Sequence, residues 1–370
     1  MSLLRGLRRQ LVSAPPSASG RSRHDLLLGL TGAAVHGMFS TAAAVRRPIP
    51  PRETDRTLTL RVVERRVVAH DQNVVALTLT APDRSPLPVW HPGAHLDIHL
   101  PSGRIRQYSL CGEPGLRTAY RIAVRRIPDG GGGSIEVHDT LAVGTSVTTS
   151  GPRNAFPFTV PGHGSPTTRV RFIAGGIGIT PILPMLGLAD RVGVDWSMVY
   201  TGRSAESIPF LDEVRRFGER VSVRTDDVHG LPSATDLLGE CASGTTVYAC
   251  GPAPMLTLIR QSLAGRDDVE LHFERFAAAP VVDGEEFVVE ASGQQVRVGA
   301  QETMLAALRR SGVAAPYSCQ QGFCGTCRTR VLDGVAQHRD TLLTEPERAA
   351  GVVLTCVSRA AAGERLVLDL

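Results

Sequence analysis

Four of the seven cysteines crowd toward the C-terminus. Cys319, Cys324 and Cys327 form a C-x4-C-x2-C run, and Cys356 lies 29 residues further on. Three thiolates from one tight loop and a fourth from a distant segment is a [2Fe–2S] spacing, in which two bridging sulfides and four thiolates complete tetrahedral shells around both irons. A loop folding over such a cluster needs positive φ and close backbone approach. Gly322 and Gly325 provide both, and leave N–H groups able to face sulfur. A structural zinc site is the alternative, but it usually takes two C-x2-C pairs, and only one is present here. An odd cysteine count in a long chain argues against a secreted disulfide framework and for a reducing compartment, so a cytoplasmic location is expected.

At roughly 150 residues per domain, 370 residues make two or three domains. With 42% apolar and 21% charged residues, the chain is neither disordered nor a polytopic membrane protein. Its 40 basic residues are all Arg, which reads as genome composition bias. The net charge of +4 invites a nucleic-acid partner, but it is unevenly spread. Residues 1–56 hold nine Arg against three acids, 57–280 hold 22 of each, and 281–370 hold nine Arg against eleven acids. The excess belongs to the leader, and no nucleic-acid partner is expected.

Residues 1–56 form an Arg-rich N-terminal extension with Ser, Pro and Ala and an Arg8-Arg9 pair. Leu26 to Val45 is uncharged for twenty residues, long enough to span a bilayer, but it contains His36, three Gly, two Thr and one Ser. The favoured reading is a loosely docked or partner-facing helix starting near Asp25. A membrane-surface anchor and a removed targeting segment are the lesser ones.

Beyond the extension the pattern changes twice. Short apolar runs (Leu58–Val63, Val74–Leu79, Leu96–Leu100, Tyr120–Val124) separated by Gly, Pro and Asp predict a small antiparallel barrel. From Arg169 to Phe273 strands at Val170–Ala174, Ser197–Tyr200, Val221–Arg224 and Thr246–Ala249 alternate with helices from Pro181 and near Phe210–Phe217, predicting a parallel doubly wound sheet. After a linker at Ala277–Gly284 come strands at Phe287–Ala291 and Gln295–Val298, a helix at Thr303–Ser311, and the cysteines.

Two blocks suggest ligands. In Arg106-Gln107-Tyr108-Ser109, Arg106 and Tyr108 share one face of a strand, and a guanidinium beside a phenol suits phosphate and isoalloxazine, although an ordinary surface strand has the same look. Gly130–Gly133 and Ser134 can form an amide nest for phosphate, or simply a flexible hairpin. Gly175-Gly176-Ile177-Gly178-Ile179-Thr180-Pro181 follows a strand and opens a helix, so a diphosphate can approach the helix N-terminus, though the run is not G-x-G-x-x-G. Cys250-Gly251-Pro252 closes a later strand at the edge where open α/β sheets bind ligands; a buried small Cys250 is the bland alternative. Cys111 and Cys241 read as fillers.

In this order the blocks resemble the phthalate dioxygenase reductase and vanillate demethylase reductase family, a branch of the ferredoxin-NADP reductase superfamily with a plant-type ferredoxin fused at the C-terminus. The resemblance rests on Arg106–Leu110, Gly132-Gly133-Ser134, Gly151–Asn154, Gly175–Pro181, Cys250-Gly251-Pro252, His272–Phe276 and Ser318–Cys327. It implies a multidomain chain: an antiparallel β-barrel FMN domain over 57–160, an α/β NAD(P)H domain over 161–277 and an α+β (β-grasp) ferredoxin domain over 285–370. By the same resemblance Arg106, Tyr108, Ser109, Gly132, Gly133, Ser134 and Phe276 would hold FMN. Gly175, Gly176, Gly178, Thr180, Arg203, Cys250, Gly251 and Pro252 would hold NADH or NADPH, with Arg203 near the adenosine ribose, and Cys319, Cys324, Cys327 and Cys356 would bind the cluster. The extension lies outside the family pattern.

The implied function is passage of electrons from NAD(P)H through FMN and the cluster to an oxygenase. A nicotinamide yields two electrons at once and a cluster accepts one, so a flavin must stand between them. No general acid or base is assigned; Glu274 either assists electrostatically or is a surface carboxylate. The expected partner of this monomer is a Rieske-type oxygenase, or else a haem-thiolate monooxygenase. Rival readings are a stand-alone NAD(P)H oxidase or quinone reductase, and a redox-sensing module without flavin.

Overall fold

The computed structural model describes residues 26–45, 57–71, 73–128, 131–162, 166–276, 281–340 and 342–370. Asp25, Gly130 and half of the expected linker (277–280) fall outside them. Contacts divide the chain into Met1–Asp55 and Arg56–Leu370. In the first unit Leu26–Val45 is a helix, α1, with Leu30, Val35, Met38 and Phe39 exposed. No helix among the described residues is long and apolar enough to cross a membrane.

The second unit opens with β1 (Thr57–Val67), β2 (Val74–Thr80), β3 (Ala94–His99), β4 (Ile105–Ser109) and β5 (Tyr120–Arg125), then helix α2 (Gly133–Thr140) and β6 (Ser146–Asn154). The strands pair antiparallel in the order β4-β3-β6-β1-β2-β5. A bridge between Leu110 and Ile122 brings the two edges together into the expected barrel. β2 reads as a near-continuous apolar run because both of its faces are buried. Val75, Leu77 and Leu79 fill the barrel, while Val74 and Ala76 face the next module.

That module contains β7 (Arg169–Gly175), α3 (Ile179–Arg191), β8 (Trp196–Gly202), α4 (Leu211–Arg215), β9 (Val221–Thr225), β10 (Thr245–Cys250), α5 (Ala253–Ser262) and β11 (Val269–Glu274). Its sheet is wholly parallel, in the order β11-β10-β7-β8-β9. The strand order therefore reverses between β7 and β10, and a crevice opens beyond their C-terminal ends. One apolar cluster unites Val74, Ala76 and Ala123 of the barrel with Phe172, Ile182, Met198 and Tyr248 of this sheet. Glu213 on α4 adds ion pairs to Arg66 and Arg121, at 3.2 and 2.9 Å.

The last module has β12 (Phe287–Ala291), β13 (Gln294–Val298), α6 (Met304–Arg310), β14 (Arg328–Asp333), β15 (Val352–Leu354) and β16 (Arg365–Leu368). Its order is β13-β12-β16-β14-β15, with β12 and β16 parallel, a β-grasp. Thr303 caps α6 by accepting from the Ala306 amide at 3.1 Å. Among the described residues no apolar cluster joins this module to the other two.

Two expectations need correction. The helix near Phe210–Phe217 is only α4, because Phe210 adopts left-handed φ (58°) while its amide donates to Val68 O of the barrel at 3.1 Å. The described glycines 131–133 are not part of a hairpin: Gly132, at φ 77°, caps α2, an unexpected helix whose glycine start has the weakest intrinsic helix propensity short of proline.

Arg359 ties the β-grasp module together. Only 2% exposed, it donates to Glu302 O, Glu285 O and Gly299 O at 2.6, 2.7 and 3.0 Å and lies over Phe287. Arg359→Leu removes all three bonds and leaves Glu302 O and Glu285 O without their donor, while Gly299 O keeps the Glu302 amide at 3.1 Å, and should cost about 2–4 kcal/mol. Thermal unfolding of this module should show the loss, with earlier release of any group bound near Cys356.

Candidate functional site

The cysteine loop gathers its sulfurs in two pairs. Cys327 and Cys356 Sγ lie 3.3 Å apart, and Cys319 is hydrogen-bonded to Cys324. Proton sharing within each pair lowers Cys324 to about 5 and also lowers Cys327, while Cys319 and Cys356 are raised. The Gln321 amide donates to Cys319 Sγ at 3.3 Å and the Thr326 amide to Cys324 Sγ at 3.4 Å. Gly322 and Gly325 have φ of 83° and 76°, the left-handed turns that a loop of this curvature requires. All four cysteines are free thiols. Among the described residues no three or more His, Cys, Asp or Glu form a single metal shell. Two sulfur pairs fit two irons, one pair each, better than one tetrahedral zinc.

The same loop walls a cavity of about 280 Å³ that all three modules face. The barrel contributes His95, Arg106, Tyr108, Ser109, Gly133 and Ser134; the parallel-sheet module contributes Ile177, Thr180, Glu274 and Phe276; the loop contributes Ser318, Cys319, Gln321 and Phe323. Tyr108 is enclosed, and burial pushes its phenol above the ordinary range. Gly133 is required by close approach, since a Cβ there would fall 2.7 Å from Arg106 Cγ. The Ser134 hydroxyl accepts from the Ile127 amide at 3.1 Å, which pins the start of α2 to the end of β5. Gly132 does not line the cavity; it caps α2 beside Arg104. Phe276, 47% exposed, stands at the mouth.

The residues expected to hold a nicotinamide nucleotide spread along the C-terminal edge of the parallel sheet. Only Thr180 among them lines the cavity, its hydroxyl donating to Ile177 O at 3.0 Å. Gly175 and Gly178 serve close packing: a Cβ on Gly175 would lie 2.5 Å from Pro252 Cδ, and one on Gly178 would meet Cys250 O. Gly251 abuts Gly175, and Gly176, at φ 53°, has free space where a Cβ would sit. Cys250 is fully buried in the core, where burial pushes its thiol up. Arg203 is exposed just beyond β8.

Glu274 is not a surface carboxylate. It lines the cavity with an enclosed Oε2 that has no hydrogen-bond partner, and burial lifts it to about 8. His95 was missed from the sequence. Its ring meets Phe323 edge-on, with centroids 6.1 Å apart, and burial lowers it to about 4, so the imidazole is neutral. The available signal was a His and an Asp, His95 and Asp97, in a strand buried along almost its whole length. Also missed was the seam that seats the loop. Arg153 pairs with Asp97 and donates to Cys324 O at 3.4 Å. Gln321 Nε2 donates to Arg275 O, and Arg106 Nη2 to the Tyr317 hydroxyl at 2.6 Å.

Comparison with known proteins agrees with this arrangement. Residues 287–361 match the 2Fe-2S iron-sulfur cluster binding domain. The chain is 40% identical over 305 residues to the phenoxybenzoate dioxygenase subunit beta of Ectopseudomonas oleovorans, covering 80% of this chain and 93% of that one. Phthalate dioxygenase reductase, a structure described as modular for electron transfer from pyridine nucleotides to [2Fe-2S], superposes with a TM-score of 0.62 at 33% identity, over 85% of this chain and 98% of that one. The chain belongs to the phthalate dioxygenase reductase family. An intact type IV self-sufficient cytochrome P450 monooxygenase is also similar, at 35% identity and a TM-score of 0.62, over 90% of this chain; this chain spans 44% of that protein.

Glu274 makes stability pH-dependent. Between its unperturbed value of 4.5 and about 8, the folded chain keeps a proton that the unfolded chain has released, so stability falls as pH rises through this window. Glu274→Gln should flatten that fall, raising the melting temperature by a few degrees at pH above 8 and little at pH below 5. Parallel melting profiles for the two proteins would show that the carboxyl does not titrate in this window.

Proposed function

We propose that this chain is the reductase component of an oxygenase system, passing electrons from NADH or NADPH through FMN to a [2Fe–2S] cluster and on to a separate oxygenase. The observation that carries this reading is the single cavity faced by barrel, parallel sheet and cysteine loop, with Cys319 on its wall. The reading divides the chain into an FMN domain (57–160), an NAD(P)H domain (161–277) and a ferredoxin domain (285–370).

A flavin suits the cavity because it offers an aromatic lining, an enclosed phenol, an unpartnered carboxyl oxygen and a glycine cradle that Arg106 fills. When bound, FMN converts a two-electron hydride donor into a source of single electrons. Arg106 and the start of α2 hold its phosphate end, with Gly133 and Ser134 on the cavity wall and Gly132 behind them as the helix cap, Tyr108 and Ser109 lie along the ring, and Phe276 shields the open side. Thr180 and the turn after β7 orient the nicotinamide, Cys250-Gly251-Pro252 supports that turn from β10, and Arg203 reaches toward the adenosine ribose. Glu274 holds a proton at neutral pH and can donate a hydrogen bond into the cavity. Cys319, Cys324, Cys327 and Cys356 hold the cluster.

The partner in this reading is a Rieske-type oxygenase. A haem-thiolate monooxygenase is the second reading, supported by the resemblance to the self-sufficient P450 chain. The reductase itself is read as a cytoplasmic monomer.

Anaerobic NADH should bleach both the flavin and the cluster absorption, and failure to bleach either would overturn the proposal. Cys324→Ser should leave flavin reduction within about twofold while delivery to an external one-electron acceptor falls to background. Loss of both activities would contradict the proposed order of carriers.

A further inference from the structure

A second groove, of about 650 Å³, runs along the seam between the barrel and the iron–sulfur module, bounded by Arg104, Arg106, Gly131, Arg309 and Tyr317. Arg106 belongs to this groove and to the central cavity, so it forms the partition between them. On the groove side the Tyr317 ring lies between two guanidiniums: Arg106 Cζ and Arg309 Cζ are each 4.3 Å from its centroid. Arg106 donates to Ile105 O, Gly131 O and the Tyr317 hydroxyl, and among the described residues neither guanidinium has a carboxylate partner. Gly131 sits at the centre: a Cβ there would clash with the Tyr317 hydroxyl and fall 3.0 Å from Arg309 Nη2 and 3.3 Å from Arg106 Nη2.

Two cations held against one ring repel each other, and a compact dianion relieves that repulsion. A phosphate monoester carries about −1.5 to −2 charge at neutral pH and accepts several charge-assisted hydrogen bonds. We propose that Arg309 and Tyr317 of the iron–sulfur module complete a phosphate-monoester site begun by Arg106 and Gly131 of the barrel, so that the flavin's phosphate and the seating of that module stabilise each other. The inference rests on the flavin reading above and adds a role for residues of a different module. The coupling matters because among the described residues no apolar cluster crosses this boundary, so a phosphate held from both sides adds substantially to a seam made of a few polar contacts. By linkage, whatever phosphate contributes to docking, docking contributes equally to phosphate affinity.

The test uses the full-length protein with its cluster in place and its flavin removed, titrated with FMN and with riboflavin by flavin fluorescence. FMN should bind more tightly than riboflavin. Arg309→Met should weaken FMN about tenfold, as expected for one charge-assisted contact, and leave riboflavin unchanged. Arg309→Lys should recover part of the loss, and Tyr317→Phe, which keeps the ring, should weaken FMN alone. Inorganic phosphate should compete with FMN and not with riboflavin. An unchanged FMN-to-riboflavin ratio in Arg309→Met, or equal loss of both ligands, overturns the proposal while the flavin reading stands. Equal affinity of the wild type for both ligands does the same. Failure of the wild type to bind any flavin overturns both.

Discussion

The Cys319–Cys327 loop must lie against the barrel without sharing, among the described residues, an apolar core with it, and the rest of the redox geometry depends on how this is done. The link is polar and distributed. Arg153 bridges the buried Asp97 and Cys324 O, Gln321 reaches Arg275 O, Arg106 reaches Tyr317, and Phe323 rests edge-on against His95. Each contact is worth little alone, because polar groups exchange water for protein partners at small net gain. Together they are directional. They fix where Cys319 meets the cavity, whereas a greasy interface would fix only that the two modules touch.

The other boundary is built in the opposite way. Barrel and parallel sheet share one apolar cluster through the outer faces of β2 and β5, and Glu213 pairs with Arg66 and Arg121 across it. These two modules are packed as one body. A rigid pair with a third module seated by polar contacts suits an electron carrier whose last group must also meet an external partner.

Strands with strong patterning were legible in the sequence. The run at Val74–Leu79 and that at Tyr120–Val124 fall within one residue of β2 and β5, and Phe287–Ala291 is β12 itself. The C-x4-C-x2-C spacing marked the cysteine loop because its chemistry permits few alternatives. Helix α2 was not legible: it opens on Gly132 and Gly133, which are poor helix formers, and its start is held by distant contacts, Gly133 against Arg106 and Ser134 against Ile127. The roles of Gly175 and Gly178 were half legible. The run does follow a strand and open a helix, but two of its members pack closely against Pro252 and Cys250, residues more than 70 positions away. The meeting of Arg106 and Tyr317, 211 residues apart, has no local signal at all. The same holds for Glu274, whose burial is created by modules on either side of it.

Electron transfer from pyridine nucleotide to the cysteine cluster through one cavity within one chain has a kinetic signature of its own. Anaerobic stopped-flow mixing with NADH at several protein concentrations tests it most directly, by following flavin and cluster absorption separately. Transfer within one chain requires cluster bleaching to follow flavin bleaching at a first-order rate independent of protein concentration. A cluster rate that rises in proportion to protein concentration would mean that electrons pass between molecules, and would contradict it.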